Sequence, residues 1–323
     1  MFKHLRNLRS TSLAVALGAM FGVSGLTTPS LAQDFPSKPI QVNVPFGANS
    51  STNVLLQALI PFYQEELGVS LTPNYTSGGG GTIGTAWMVS QQPDGYVLGL
   101  VPAGPVLPKP IVEDLPYDHT DLAPVGHVGT FFTTLVVPDE SPWKTFGDFL
   151  DASMSADGTL TYATSGHNST AHLTMQGIAD KAGFDFRHIP MEGSGAVIAA
   201  IIGNQVQLAG TELRGDLGAD GKTRLLAVDG SERLESFPDV PTFSELGFMG
   251  LSPWMAIYAP VGVSEDRMET LENALERAVN NPEFQERIEA IGVSGQWMSR
   301  EDTQARVDQE HQAYEELLGA ADE

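Results

Sequence analysis

Residues 40–56, IQVNVPFGANSSTNVLL, contain the pattern on which the fold prediction rests. Residues 40–46 are predicted to form a buried strand. Residues 47–53 are rich in glycine, serine, threonine and asparagine, which favours a loop. Val54 and Leu55 then begin the apolar face of a helix. The stretch predicts a strand–loop–helix unit, from which α/β proteins are built.

The same order of elements recurs along the chain in two series of about 100 residues each, which predicts two α/β domains. Alternation of strands with helices predicts parallel sheets that are covered by helices on both faces. After these series the chain is predicted to be helical, with helices beginning near Ser264, Asn281 and Ser299, where residues suited to cap a helix precede proline or acidic residues. The other predicted strands are 69–75, 96–101, 131–137, 160–164, 186–189, 206–209 and 224–228. The other predicted helices are 82–91, 145–154, 169–181 and 196–202.

Composition excludes several classes of function. The 323 residues include 41% hydrophobic residues, which indicates a globular protein. Lys and Arg number 17 against 40 Asp and Glu, a formal net charge of -23. Such an acidic chain is unsuited to nucleic acid or to anionic lipid, which both attract cationic surfaces. It contains no cysteine, which excludes disulfides, thiol nucleophiles and iron–sulfur ligation.

The first 32 residues have the features of a secretory signal peptide. Lys3, Arg6 and Arg9 form a basic start, an apolar segment follows at 12–23, and small residues precede Ala32. The apolar segment is too short to span about 30 Å of hydrocarbon. We therefore predict export to a bacterial periplasm, with cleavage after about Ala32.

Motifs for a cofactor, a metal or catalysis are weak or missing. Gly79, Gly81 and Gly84 match a dinucleotide fingerprint, but the acidic residue expected about 20 positions later is missing. We interpret this motif as a tight turn with close helix packing. His167 and His172 are not spaced as a standard helical metal pair, and no G-x-S-x-G or H-E-x-x-H motif occurs. We predict no cofactor, no metal and no enzymatic activity.

Two loops have a composition that suits a negatively charged ligand. Residues 47–53 and 165–170 both contain small and hydroxyl-bearing residues, and both precede a predicted helix. The first N–H groups of a helix lack partners within the helix, and the helix dipole is positive there. The hydroxyls of such loops can also serve only as helix caps. Because two matching loops occur in two domains, we favour a ligand held between helix ends.

The chain resembles the Bug-type solute-binding proteins of the tripartite tricarboxylate transporter system across essentially all of the mature sequence. The order and spacing of several short segments carry this resemblance. These segments are 35–40 (FPSKPI), 44–46 (VPF), 78–84 (GGGGTIG), 93–96 (PDGY), 115–118 (LPYD), 162–166 (YATSG) and 238–242 (PDVPT).

The resemblance implies a two-lobed periplasmic-binding-protein fold, of the Venus flytrap, type II-like kind. It implies two chain crossovers, at 131–137 and 252–259, and a helical C-terminus. Lobe one would contain 34–129 and 256–323, and lobe two 130–255. The function implied is a periplasmic receptor, expected to be a monomer, that closes on a small carboxylate and delivers it to the permease subunits of a tripartite tricarboxylate transporter. The ligand would be a mono- or dicarboxylate, aliphatic or aromatic.

The resemblance also implies which residues contact the ligand. Asn53 stands where these proteins commonly have Asp, so a ligand with an ammonium group loses its expected partner. Arg214 is a cation near the loops of lobe two and is a further candidate for pairing with a carboxylate. In lobe one the predicted contacts are Phe46, Ala48, Asn49, Ser50, Ser51, Thr52, Asn53, Ala103 and Gly104. In lobe two they are Ser165, His167, Asn168, Ser169, Thr170, Gly193 and Thr211.

Two other functions remain open at the level of sequence. An exported serine hydrolase could use Ser165 or Ser169 with His167 or His172 as its base. A sensory receptor would bind the same solute but transmit a signal instead of feeding a transporter.

Overall fold

The computed structural model describes residues 35–155, 160–214, 217–218 and 221–319, so the predicted signal peptide lies outside the described residues. Within these residues the strands are β1 (Ile40–Val44), β2 (Leu71–Tyr75), β3 (Val97–Pro102), β4 (Leu122–Phe131), β5 (Thr133–Pro138), β6 (Thr161–Thr164), β7 (Arg187–Pro190), β8 (Leu208–Glu212), β9 (Thr223–Val228), β10 (Trp254–Pro260) and β11 (Val293–Ser294). The helices are α1 (Ser51–Leu67), α2 (Thr82–Val89), α3 (Ala103–Val106), α4 (Pro108–Val112), α5 (Phe146–Ser155), α6 (Thr170–Ala182), α7 (Ser194–Ile202), α8 (Glu265–Val279), α9 (Pro282–Glu289) and α10 (Arg300–Gly319).

The strands form two sheets. Sheet one has the order β11-β4-β10-β3-β1-β2, and sheet two has the order β7-β6-β8-β5-β9. The predicted strand–loop–helix units occur in both sheets, so the α/β class predicted from the sequence is confirmed. The C-terminal segment is helical, as predicted, with α8 and α9 beginning after Ser264 and Asn281.

The prediction of purely parallel sheets is wrong. Strands β2, β1 and β3 are parallel, as are β7, β6 and β8. However, β10 runs antiparallel to β3 and β4, and β5 runs antiparallel to β8 and β9. The reason is the connectivity of the chain. Strand β5 follows directly from sheet one and enters sheet two at the edge where the parallel strands of sheet two end, so it must run in the opposite direction to them.

The chain passes between the sheets at two adjacent places. Strand β4 of sheet one ends at Phe131 and β5 of sheet two begins at Thr133. The return to sheet one comes before β10. The two segments are hydrogen-bonded to each other: the Phe131 N–H donates to the Pro253 carbonyl at 2.9 Å, and the Thr133 hydroxyl donates to the Leu251 carbonyl at 2.6 Å. Paired connections of this kind suit a hinge.

Each sheet is covered by helices on both faces. On sheet one, α1, α8 and α9 pack on one side, whereas α2, α3 and α10 contribute to the core of the other side. On sheet two, α5 and α6 cover one face and α7 covers the other. Leu275 of α8 is fully buried, and burial of such a side chain stabilises the fold by about 1.5–3 kcal/mol. Among the helices in the described part of the chain, none combines the length and the apolar composition that crossing a membrane requires.

Candidate ligand-binding site

Both predicted loops connect the carboxyl end of a strand with the beginning of a helix. The Ser50 hydroxyl accepts a hydrogen bond from the Asn53 N–H at 3.2 Å and caps α1. The Ser169 hydroxyl accepts one from the His172 N–H at 3.2 Å and caps α6. The capping role that the sequence left open therefore applies to these two serines. Each cap uses one of the N–H groups of the first turn.

The first turn of α1 meets the first turn of α7 across the two sheets. The Ser51 N–H donates to the Ser194 hydroxyl at 2.9 Å, and the two hydroxyl oxygens lie 2.8 Å apart. Gly193, the predicted site residue before Ser194, has a φ of 90° and would place a Cβ only 3.4 Å from the Phe46 ring. From sequence we paired α1 with α6, whereas the direct partner of α1 in the structure is α7.

The beginning of α6 faces another part of lobe one. A Cβ added to Gly104 would lie 3.9 Å from the Ser169 Cα, and a Cβ added to Gly166 would lie 3.1 Å from the Gly80 Cα. The glycine turn before α2 therefore packs against the loop before α6. A Cβ on Gly84 would lie 2.3 Å from the Thr76 carbonyl oxygen. This geometry supports the interpretation of the glycine motif as a tight turn with close helix packing.

The Asn53 side chain holds the loop before α1 in place. Its amide nitrogen donates to the Ala48 carbonyl at 2.7 Å. Its amide oxygen accepts from Gln57 at 3.2 Å and from the Tyr75 hydroxyl at 3.1 Å. An amide satisfies both kinds of contact, since it has a donor and an acceptor, whereas a carboxylate has only acceptors.

Asn49 connects the same loop to lobe two. Its carbonyl accepts a hydrogen bond from the Arg214 guanidinium at 3.2 Å. A Cβ added to Gly195 would lie 2.6 Å from this carbonyl oxygen, so the backbones of the two lobes approach closely here. Arg214 thus brings a positive charge to the contact between the lobes.

Thr211 and the residue after it lie at the end of β8. Thr211 is buried; its carbonyl accepts from the Thr134 hydroxyl at 2.9 Å, and its hydroxyl donates to Glu212 at 3.3 Å. Burial raises the pKa of Glu212, partly offset by hydrogen bonds and by Arg214. Ala103 and Gly104, at the corresponding strand end of lobe one, are buried in α3 directly after β3.

Three histidines meet beside the loop before α6. The rings of His167 and His172 have centroids 4.6 Å apart, and those of His172 and His188 lie 4.2 Å apart. Burial, assisted by the neighbouring histidines and Lys109, lowers the pKa of His172 to about 3. Burial also lowers the pKa of His188 to about 4, assisted by His167. Both rings are uncharged at neutral pH. Sequence spacing did not reveal this cluster, because His188 comes from β7.

The hydroxyl of Ser169 is held as a helix cap and not as a nucleophile. It accepts the His172 backbone N–H and lies 3.5 Å from the Thr164 hydroxyl. The His172 Nδ1 accepts the Asn168 backbone N–H at 3.2 Å. A general base would instead accept a proton from the serine hydroxyl.

Three cavities of more than 600 Å³ lie away from the two loops. Their volumes are about 670, 670 and 640 Å³, and none of the three is lined by a predicted site residue. Because the loops of the two lobes touch each other, the space between them is narrow. We therefore place the candidate site by its helix ends and hydroxyls, and not by cavity size.

Two α/β sheets joined by two adjacent connections, with helix ends of one meeting loops of the other, define a two-lobed solute-binding protein. The chain belongs to the tripartite tricarboxylate transporter family of receptors, whose model matches residues 62–320. Members of this family are exported periplasmic receptors that bind solutes and are not enzymes. The protein is accordingly a solute-binding receptor.

Individual relatives are similar over most of their length. The UPF0065 protein in the gbd 5′ region of Cupriavidus necator is 31% identical over 288 residues, which cover 88% of each chain. The structure of the periplasmic binding protein BugD is 26% identical with a TM-score of 0.81, covering 89% of this chain and 98% of BugD.

Two structures from Rhodopseudomonas palustris share the fold. MatC with bound malate has a TM-score of 0.82 and covers 87% of this chain and 99% of its own. Rpa4515 with adipate has a TM-score of 0.83 and covers 89% of this chain and 98% of its own. Both are 22% identical to this chain.

Proposed function

We propose that this protein captures a small organic anion with one or two carboxylates between its lobes and delivers it to the membrane subunits of a tripartite tricarboxylate-type transporter. The observation that carries the proposal is the meeting of α1 and α7, whose first turns are joined through Ser51 and Ser194. The ligand would enter where these helix ends separate when the lobes open.

Helix ends bind anions because their first N–H groups point outward and the helix dipole is positive there. A negative charge near such an end is stabilised by about 0.3–1 kcal/mol, and by up to about 2 kcal/mol where it is partly buried. The protein carries a formal net charge of -23. Exposed charges are screened beyond roughly 8 Å at physiological salt. Local N–H and hydroxyl donors therefore dominate over the distant acidic surface.

The chemistry of the loops favours a carboxylate over an amino acid or a sugar. Ser51, Thr52 and Thr170 are buried in the first turns of their helices. The amide of Asn53 is neutral and is engaged by the Ala48 carbonyl and the Tyr75 hydroxyl, so an ammonium group would find no charged partner at this position. The relatives MatC and Rpa4515, with malate and adipate, support a dicarboxylate as the ligand class.

Closure would occur about the two hydrogen-bonded connections between the sheets. A ligand that contacts both lobes binds the closed form better than the open form and shifts the equilibrium by that difference in affinity. Residues 34–129 and 256–323 would move as lobe one, and 130–255 as lobe two. Phe46, which lies against Gly193 of the other lobe, would provide apolar contact.

The proposal is tested by thermal unfolding of the purified mature protein with malate, adipate, aromatic carboxylates, amino acids and sugars. We expect carboxylates to raise the Tm, because a ligand at 100 times its Kd stabilises the folded state by about 2.7 kcal/mol. Stabilisation by amino acids or sugars alone would refute the ligand class.

Variants test the location of the site. A Thr52→Ala, Ser169→Ala double variant should bind the carboxylate at least tenfold more weakly by calorimetry, since a hydrogen bond to a charged group contributes about 1.5–3 kcal/mol. Ser264→Ala, which changes an exposed serine before α8, is the matched control and should leave affinity unchanged. Unchanged affinity in the double variant would place the site elsewhere.

Delivery to a transporter is tested separately, by uptake of the identified ligand in cells with and without this protein. Uptake should depend on the protein and on the permease subunits. Binding without any effect on uptake would favour a sensory receptor.

A further inference from the structure

A cluster of three imidazoles lies in the second sheet and its helices. His167 is in the loop after β6, His172 is in the first turn of α6, and His188 is in β7. One ring nitrogen from each lies within 4.8 Å of the others. His172 is buried, His188 is half-buried and His167 is exposed. The cluster thus has two ligands on regular structure and a third on an accessible loop.

We propose that His167, His172 and His188 form a binding site for one divalent transition-metal ion of the kind that imidazole favours, such as Zn²⁺, Cu²⁺ or Ni²⁺. Tetrahedral zinc with Zn–N distances of about 2.0–2.1 Å needs nitrogen atoms about 3.3 Å apart. Contraction from within 4.8 Å requires movements of about 1 Å, and the exposed His167 side chain is free of the packing that restrains the buried His172. Three protein ligands leave a fourth position for water.

The surroundings of His188 resemble those of a metal ligand. Its Nε2 lies 2.8 Å from the Thr164 hydroxyl oxygen, whose hydrogen is donated to the Gly166 carbonyl at 2.9 Å. With its hydrogen directed to Gly166, the threonine oxygen accepts from His188, and this tautomer carries the ring proton on Nε2 and leaves the Nδ1 lone pair for a metal. Metal-binding histidines usually donate their other N–H in this way, which fixes the ring.

His172 requires one local change. Its Nδ1 accepts the Asn168 N–H at 3.2 Å, so its neutral ring carries the proton on Nε2. Coordination through either nitrogen removes this single long hydrogen bond. The loop that contains Asn168 also carries His167. A small movement of this loop would therefore release the His172 nitrogen from Asn168 and bring His167 towards the metal.

The nearby charges are compatible with a cation. Lys109 acts electrostatically on His172 and opposes a positive ion. Its ammonium group is paired with Glu113 at 3.0 Å, which partly offsets that effect. The buried ring of His172 and the half-buried ring of His188 are neutral, and neutral imidazole is the form that binds metal.

The test uses mature protein without an affinity tag, after removal of metals with EDTA and desalting. Zn²⁺ is titrated in competition with a chromophoric chelator, and Co²⁺ is titrated while its visible absorption is recorded. We expect one ion per chain and a Co²⁺ band typical of nitrogen ligands. Neither measurement involves the carboxylate, so failure here is distinct from failure of the proposed function.

Variants identify the ligands. His167→Ala and His188→Gln should each weaken Zn²⁺ binding at least tenfold, and Thr164→Val should weaken it about 10–100-fold through loss of the hydrogen bond to His188. The matched control is His119→Gln with His311→Gln. These two stacked rings, with centroids 3.9 Å apart, lie elsewhere in the chain, and their removal should leave affinity unchanged.

Binding of Zn²⁺ weaker than millimolar in the unaltered protein would overturn the proposal, as would affinity that survives both His167→Ala and His188→Gln. Because His167 is exposed, His167→Ala is expected to fold even if His188→Gln does not. Circular dichroism confirms which variants are folded. Loss of binding only in the control variant would assign the ion to the other histidine pair and refute the site.

Discussion

Replacing His172 with glutamine should make the protein less sensitive to acid. Burial lowers the pKa of His172 to about 3, from 6.5 in an unfolded chain. The unfolded state therefore binds more protons than the folded state between these values. The contribution of the His172 ring to the free energy of unfolding is therefore present above about pH 6.5 and is lost as the pH falls below that value.

The magnitude follows from the two pKa values. At pH 5 the protonated form of the ring outnumbers the neutral form by about 30 to 1 in the unfolded state, whereas the ring stays neutral in the folded state. This difference lowers the free energy of unfolding by about 2 kcal/mol. The loss between pH 8 and pH 5 should thus be about 2 kcal/mol larger in the unaltered protein than in His172→Gln. Groups that do not touch His172, such as the carboxylates and the buried His127, titrate in both proteins, so their contributions cancel.

Urea unfolding at pH 8 and pH 5, monitored by circular dichroism with EDTA present, measures this difference. The comparison at pH 8 reports the packing cost of the substitution alone, because the ring is neutral in both states there. Equal losses in the two proteins would show that His172 is hydrated and titrates normally, contrary to the packing in the structure.

Two further predictions concern the contact between the lobes and the packing of α2. A double-mutant cycle of Ser51→Ala and Ser194→Ala should give a coupling energy of about 0.5–1.5 kcal/mol in urea unfolding, and no coupling would mean that these helix ends do not meet in solution. Gly84→Ala should destabilise the fold by about 1–3 kcal/mol, because its Cβ would lie 2.3 Å from the Thr76 carbonyl oxygen. Gly177→Ala in α6 is its control: nothing lies within 4 Å of the added Cβ, so thermal unfolding should show no loss, and equal losses would contradict the steric explanation.

Short-range signals predicted many of the elements well. The strand predicted at 160–164 is Thr161–Thr164, and the helix predicted at 145–154 is Phe146–Ser155. Strand β4 was missed except for its last residue because Leu122–Phe131 contains a proline and two glycines, which usually indicate a loop. Its pairing with β10 on one side and β11 on the other stabilises it as a strand.

The candidate site was predictable in part. Residues 47–50 and 165–169 precede α1 and α6 as expected, since capping depends on residues three positions apart. The last residues of the predicted loops, 51–53 and 170, instead belong to the first turns of these helices. The contact between Ser51 and Ser194 joins positions 143 residues apart. No local pattern carries that information, so the partner of α1 could not be deduced from the sequence.

The amino-acid order by itself determined the strand–loop–helix units, the starts of the helices and a loop composition that suits an anion. Secondary-structure propensity and helix capping depend on only a few neighbouring residues. Only the tertiary structure decided which strands run antiparallel, that α1 faces α7, and that His188 joins His167 and His172. Those outcomes depend on how the sheets and helices pack against one another, and packing brings together side chains that the chain itself keeps far apart.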